Sequence, residues 1–287
     1  MTEQTTINFY EKRDFGQKVN LTFSFIRLTY RSLFRNLLLF AAPIFVLSGV
    51  LGAVNQLDGM ASFSGNVMFT LLITYFLYAV GTVFSAIIAG KHILIYQKEG
   101  RIDISTEEMM TFFKNDFFKI FITSFIYYLI ILVGSVLLFI PGIYLAIALS
   151  LCMMIRILNP EAELSFSFKE SMRLIKGNWW ASFGFYFIIG IISYVFALVF
   201  MIPYLASLAF IGITSPAGVA NEGFRFLVIL TSAIGQLGYA FTTCIPFVGI
   251  SIYYYSLREQ KDDVNMQLQI NEIGNIAEVK TSNEGSY

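Results

Sequence analysis

The 287-residue chain is 56% hydrophobic and 13% charged, with a mean hydropathy of +0.69, against the roughly 25% charged residues of an ordinary soluble domain. Its 19 Lys and Arg balance 19 Asp and Glu, so no cationic excess is present to hold nucleic acid. These values exclude a soluble globular domain and point to an all-α polytopic membrane bundle, whose lateral surface 30 Phe and 16 Tyr would suit.

In chain order, residues 1–18 are polar and without periodicity, and read as a peripheral segment. From Val19 the pattern becomes helical. Val19, Phe23, Ile26, Tyr30, Leu33, Phe34 and Leu37 fall on one face, and Arg27, Arg31 and Arg35 rise beside them at intervals of four. A helix basic on one strip and aromatic on another is expected to lie in the membrane interface, its cations toward lipid headgroups. No small-residue cleavage site follows the first apolar run, so that run is read as a span and not as a signal peptide.

Six stretches are long enough, or nearly so, to cross a hydrocarbon core of roughly 30 Å. They cover about 36–56, 67–90, 119–140, 142–158, 179–212 and 225–257, within a single membrane domain from 19 to 257. The charge-free run from Ile120 to Ile155 is divided by "FIPGIY", and Pro141–Gly142 is the expected turn. Pro203 and Pro246 interrupt the two longest runs, which leaves both kinked spans and re-entrant segments open. Residues 258–287 read as a flexible tail.

Two further segments resemble the amphipathic leader. "STEEMMTFFKNDFFKIF" opens with Ser105 and Glu108 in a capping-box pattern. Ahead of the fifth span, Leu164, Phe168, Met172, Ile175 and Trp179 share one face, and Lys169, Arg173 and Lys176 another. Asn159–Pro160–Glu161 would start this helix and Gly177 would stop it, leaving Trp179 and Trp180 at the membrane boundary. Three units, beginning near 19, 105 and 160, are therefore expected, each an interfacial helix followed by a transmembrane hairpin. With six spans, 18 of the 19 Lys and Arg fall on one side and only Arg225 on the other, so both termini are expected in the cytoplasm.

The chemistry expected of this chain is sparse. Cys152 and Cys244 lie inside apolar runs as small hydrophobes. His92 is the only histidine, too few for a multi-His metal centre, and its place beside Lys91 suggests a headgroup-facing role. HExxH, GxSxG and P-loop patterns are absent, so no catalytic, cofactor or metal residue is expected. A lipid-modifying enzyme would have to use rim acids such as Asp103, Glu107, Glu161 and Glu163. No Asp, Glu, Lys or Arg stands within a span away from its ends, and Arg156, at the end of the fourth, is expected to snorkel outward. Asn55, Gln56, Thr74, Ser85, Gln236, Thr242 and Thr243 are candidates to line a path for an uncharged or amphipathic solute. Gly81, Ser85 and Ala89 form a small-residue strip suited to close helix contact, with Gly235 and Gly238 a less specific pair.

Over residues 137–183 the chain resembles a family of bacterial membrane domains that includes the one fused to some glycerophosphodiester phosphodiesterases. The matching features are "LLFIPGIYLAIALSL" with Pro141–Gly142, then Glu161, Ser171–Arg173 and Lys176–Trp180. The resemblance implies a six-helix domain of the bacterial cytoplasmic membrane. It brings no catalytic residue, because the phosphodiesterase barrel is a separate domain. The expected function is a non-enzymatic accessory or scaffold protein that meets anionic membrane lipid and a membrane-protein partner; the alternative is a permease or exporter of an amphipathic or lipid-like solute.

Overall fold

A computed structural model describes residues 7–59, 65–214, 222–264, 266, 267 and 270. Much of the predicted loops at 57–66 and 213–224, and the chain beyond 270, lies outside the described residues. The described chain is all-α: α1 (Phe15–Asn36), a π-helical turn (Leu37–Ala41), α2 (Ala42–Gly59), α3 (Gly65–Glu99), α4 (Thr106–Leu137), α5 (Phe139–Ala148), α6 (Cys152–Leu158), α7 (Leu164–Ile175), α8 (Trp179–Thr214), α9 (Glu222–Thr242) and α10 (Cys244–Asp262). Six helical runs are long and apolar enough to cross a membrane, which makes this a multi-pass bundle.

Prolines account for three irregularities. Pro43 has no N–H and its ring would strike the carbonyl of Leu39; the π-helical turn just before it, with the Ala42 N–H donating to Leu37 O, relieves the clash without stopping the helix. Pro246 stands in the first turn of α10, directly after the Thr243 joint with α9. The expected turn at Pro141–Gly142 falls instead at Leu138, the single extended residue between α4 and α5 (φ −155°, ψ 128°). Pro141 belongs to the first turn of α5, where a missing N–H costs nothing. Gly142 is where α5 meets α4: an added Cβ would run into the Ser135 hydroxyl and lie 2.8 Å from its Cα. Pro203 sits inside α8 without dividing it.

The expected separate interfacial helices are present only before the fifth span. The leader and first span form one continuous run from Phe15 to Leu57, and α4 passes unbroken from Thr106 to Leu137. Neither junction, at Arg35–Leu37 or at Lys114–Lys119, contains a Pro or Gly that would stop the helix. Between α7 and α8, Gly177 adopts φ +85°, a left-handed conformation that ends the turn. That helix also starts later than expected, after Glu163, because Asn159 ends α6 instead.

α3, at 35 residues, is about 52 Å long at 1.5 Å per residue and overhangs a 30 Å core by roughly 20 Å. Its overhang carries Lys91 and Lys98, and packs with α1, the start of α4, α6, α7 and the end of α10 into a cap at the cation-rich end. Phe9, in the segment expected to be peripheral, is part of this cap: it is buried and meets Phe25, Tyr96 and Tyr255 at 5.5–5.8 Å between ring centroids. The expected tail likewise begins too early, since α10 continues through Arg258 to Asp262.

The buried faces differ from those drawn on a wheel. In α1 the inward residues are Thr22, Phe25, Thr29, Ser32, Leu33 and Asn36, while Tyr30 is exposed. In α7 they are Ser167, Ser171, Leu174 and Ile175, while Phe166 and Met172 face out. Small hydroxyls can stand inside because each finds a backbone partner: Thr22, Thr29 and Ser167 donate to the carbonyl four residues earlier, and Ser32 and Ser171 bond to the backbone of a neighbouring segment. Ser171 Oγ donates to Ala148 O (2.8 Å) and accepts from Leu151 N–H (3.2 Å), and so satisfies the broken turn between α5 and α6.

Candidate functional site

The first candidate site begins with what α2 lacks. Ser48, Gly49, Gly52 and Ala53 offer no bulk along its wall, and α3 faces them with Leu71, Thr74, Tyr75 and Tyr78. Between the two helices lies an open cavity of about 450 Å³, closed behind by Tyr204 of α8 and by Ser232 and Gln236 of α9. Its size is that of an ordinary ligand pocket. Asn55, Gln56, Thr74 and Gln236, four of the predicted path residues, are brought together in its wall. Asn55 Nδ2 donates to Val67 O (3.3 Å), the Tyr204 hydroxyl donates to Gln56 Oε1 (2.5 Å), and Ser232 Oγ donates to Gly49 O (2.9 Å). Gln236 Oε1 is buried with no hydrogen-bond partner. Among the described residues no charged side chain lines this cavity.

Its inner end is an aromatic floor. Phe45 meets Tyr78 and Tyr239 at 5.5 and 5.2 Å, and the Tyr78 and Tyr239 hydroxyls are hydrogen-bonded to each other. Gly81 permits this packing, since an added Cβ would stand 3.0 Å from Phe45 Cζ. On the far side of the tyrosine pair lies a second cavity of about 260 Å³ beside Thr82, Ser193, Tyr239, Thr242 and Thr243. Ser85, buried, accepts from Thr243 Oγ1 at 3.0 Å. The predicted polar residues thus divide into two chambers, with Tyr78 lining one and Tyr239 lining the other.

The predicted headgroup-facing residues lie around the cap with mixed roles. Arg27 is exposed; Arg31 lies against the ring of its neighbour Tyr30. Arg35 pairs with Asp103 at 3.0 Å. Lys169 and Lys176 are exposed, and the Lys176 carbonyl accepts from Lys261 Nζ at 3.0 Å. Arg173 is held at four points, by both oxygens of Glu170 and both of Asp262 at 2.7–2.9 Å, and ties α7 to α10. These hydrogen bonds, outweighing burial, keep the Asp262 carboxyl below its usual range. Trp179 donates from Nε1 to Tyr144 O (3.3 Å) and stacks on Tyr144 and Phe183, whereas Trp180 points outward. Ala89 is buried in the same strip as Gly81 and Ser85, and an added Cβ on Gly238 would strike Phe200 of α8, so both small-residue patterns serve packing within this chain.

Two ionisable residues depart from expectation. His92 does not reach headgroups; it is 1% exposed. Its Nδ1 faces Ile88 O at 2.7 Å and so carries the proton, leaving Nε2 to accept from Ser32 Oγ at 3.0 Å. Arg156 does not snorkel outward but turns onto α4, donating to Lys119 O (2.8 Å) and Thr123 Oγ1 (2.6 Å). Both find partners closer than water because the overhanging helices surround them. Sequence reasoning missed the buried ion pair of Lys91 with Asp116, 2.6 Å apart, with side chains 3% and 11% exposed. No local spacing links them. The rim acids do not converge: Asp103 lies with Arg35, whereas Glu161 and Glu163 line a separate groove by α7. Among the described residues no three His, Cys, Asp or Glu side chains stand together as a metal site.

No family model, curated protein or solved structure matches the chain.

Proposed function

We propose that the chain is a non-enzymatic permease or exporter of an uncharged amphipathic solute in the bacterial cytoplasmic membrane, with both termini cytoplasmic. The observation that carries this reading is the gathering of Asn55, Gln56, Thr74 and Gln236 around one cavity that no charged side chain among the described residues lines. Such amides and hydroxyls would hydrogen-bond a solute hydroxyl or amide. The apolar and aromatic remainder of the wall would take an alkyl chain. Tyr78 lines one cavity and Tyr239 the other, and their hydroxyls are hydrogen-bonded, which makes this pair a candidate gate for the solute. Orientation rests on the cation distribution, and the bacterial setting on the family resemblance of residues 137–183.

The test is protection of an introduced thiol. In Thr74→Cys, maleimide labelling should be slowed by monooctanoylglycerol and not by equal concentrations of octanoate or octyltrimethylammonium. Gln236→Leu should erase that preference. Equal protection by all three amphipaths would defeat the binding claim. If the best protector, radiolabelled, enters proteoliposomes no faster than protein-free vesicles, the site is static and the permease reading fails.

A second reading, an accessory protein that binds anionic lipid and a membrane partner, is favoured by the exposed cations Arg27 and Lys169, which have no ion-pair partner among the described residues. A stoichiometric protein retained through gentle purification would select it over the first.

A further inference from the structure

The best-formed cationic site is not among the basic faces visible in the sequence. Where the start of α1, the joint of α7 with α8 and the end of α10 meet, a pocket of about 300 Å³ is bounded by Lys12, Arg13, Lys18, Asn178, Tyr253 and Gln260. No carboxylate among the described residues lines it. Lys12 is partly neutralised by Asp263 at 2.7 Å, and Arg13 by Glu11 at 2.5 Å. Among the described residues Lys18 makes no ion pair; Asp14, which caps α1 one turn earlier, attracts it only through space. Its half-buried ammonium stands 5.0 Å over the Tyr253 ring. A partly desolvated ammonium with no direct carboxylate contact, beside two other cations in one pocket, is suited to an anionic ligand.

We infer that this pocket binds one phosphate-bearing anion, the headgroup of an anionic phospholipid. Depth favours the lipid over free phosphate. Asn178, on the pocket wall, is followed directly by Trp179 and Trp180, and Trp180 is 78% exposed on the lateral surface, as expected of a residue at the headgroup level. The first N–H groups of α8 have no intrahelical acceptor, and their dipole adds to the attraction. The site is separate from the cavity between α2 and α3 and does not depend on its role.

The test is native mass spectrometry of delipidated protein in an uncharged detergent, titrated with phosphatidylglycerol, phosphatidylcholine or inorganic phosphate. Wild type should retain phosphatidylglycerol over phosphatidylcholine. Lys18→Gln should weaken phosphatidylglycerol about fivefold, Lys18→Arg should restore it, and Lys114→Gln on the exposed side of α4 should change nothing. Unchanged binding in Lys18→Gln, or an equal loss in Lys114→Gln, overturns the proposal. Displacement of phosphatidylglycerol by millimolar inorganic phosphate overturns the headgroup assignment in favour of a free anion. Should Lys18→Gln fail to fold, the wild-type preference between the two lipids decides, and equal retention of both rejects the site.

Discussion

The two ends of the bundle are built on different principles. At the cation-rich end, overhanging helices bury Phe9, Phe25, Tyr253 and Tyr254, and the ionisable groups deepest inside are paired, Lys91 with Asp116 and His92 with Ser32, although Asn36 Oδ1 has no partner. At the opposite end the buried cluster is small, Ala53, Leu57, Ile211 and Val228, and beside it glycines and amides leave a cavity. One end is held by a large aromatic core and a buried ion pair; the other keeps room between its helices. A protein that must hold its shape while admitting a ligand gains from that division, because ligand sites are drawn from the less stable regions of a fold.

The division can be broken most severely at Lys91. Lys91→Met strands Asp116 in a buried site and should cost about 3–5 kcal/mol, with much of it recovered in Lys91→Met/Asp116→Leu. Thermal unfolding of single and double variants in one detergent measures both; a single variant with the wild-type midpoint would mean that the pair is solvated. Ser171→Ala should cost about 1–3 kcal/mol in the same assay, because Leu151 N–H and Ala148 O lose their shared partner. At the opposite end the ordering should reverse. Gln236→Leu should shift stability by no more than about 1 kcal/mol, since it removes an atom that already lacks a partner, while abolishing selective protection of Thr74→Cys. A large stability loss there would show that the cavity wall is structural. Arg27→Gln, on the exposed side of α1, should stay within about 0.5 kcal/mol of wild type, and a bigger change would reveal a contact at that surface.

Several features were readable in the sequence because they depend on local residues. Ser105 caps α4, accepting from Glu108 N–H at 3.1 Å, though the Glu108 carboxylate turns to Arg101 instead of completing the box. Gly177 ends α7, and the span count follows from apolar length alone. The buried faces of α1 and α7 depart from the wheel for a physical reason: hydropathy sends large apolar groups inward, whereas close contact between helices selects small residues such as Ser and Thr beside Phe25, Leu33, Leu174 and Ile175. Ser171, one of the residues that carry the family resemblance, closes the broken turn between α5 and α6.

The residues of the cavity were each visible as uncharged polar groups in apolar runs, but not their division. Asn55 and Gln236 lie far apart in sequence, and only the packing of α2, α3, α8 and α9 sets them around one space while sending Thr242 and Thr243 to another. The same holds for Lys91 with Asp116 and for the pocket at Lys18. The sequence by itself determined the membrane class, the number of crossings and the local helix signals, because apolar length, caps and left-handed glycines act within a few residues. Which polar groups are paired and which are left with free valence was decided by tertiary structure, because that depends on helices that meet only after the chain has folded.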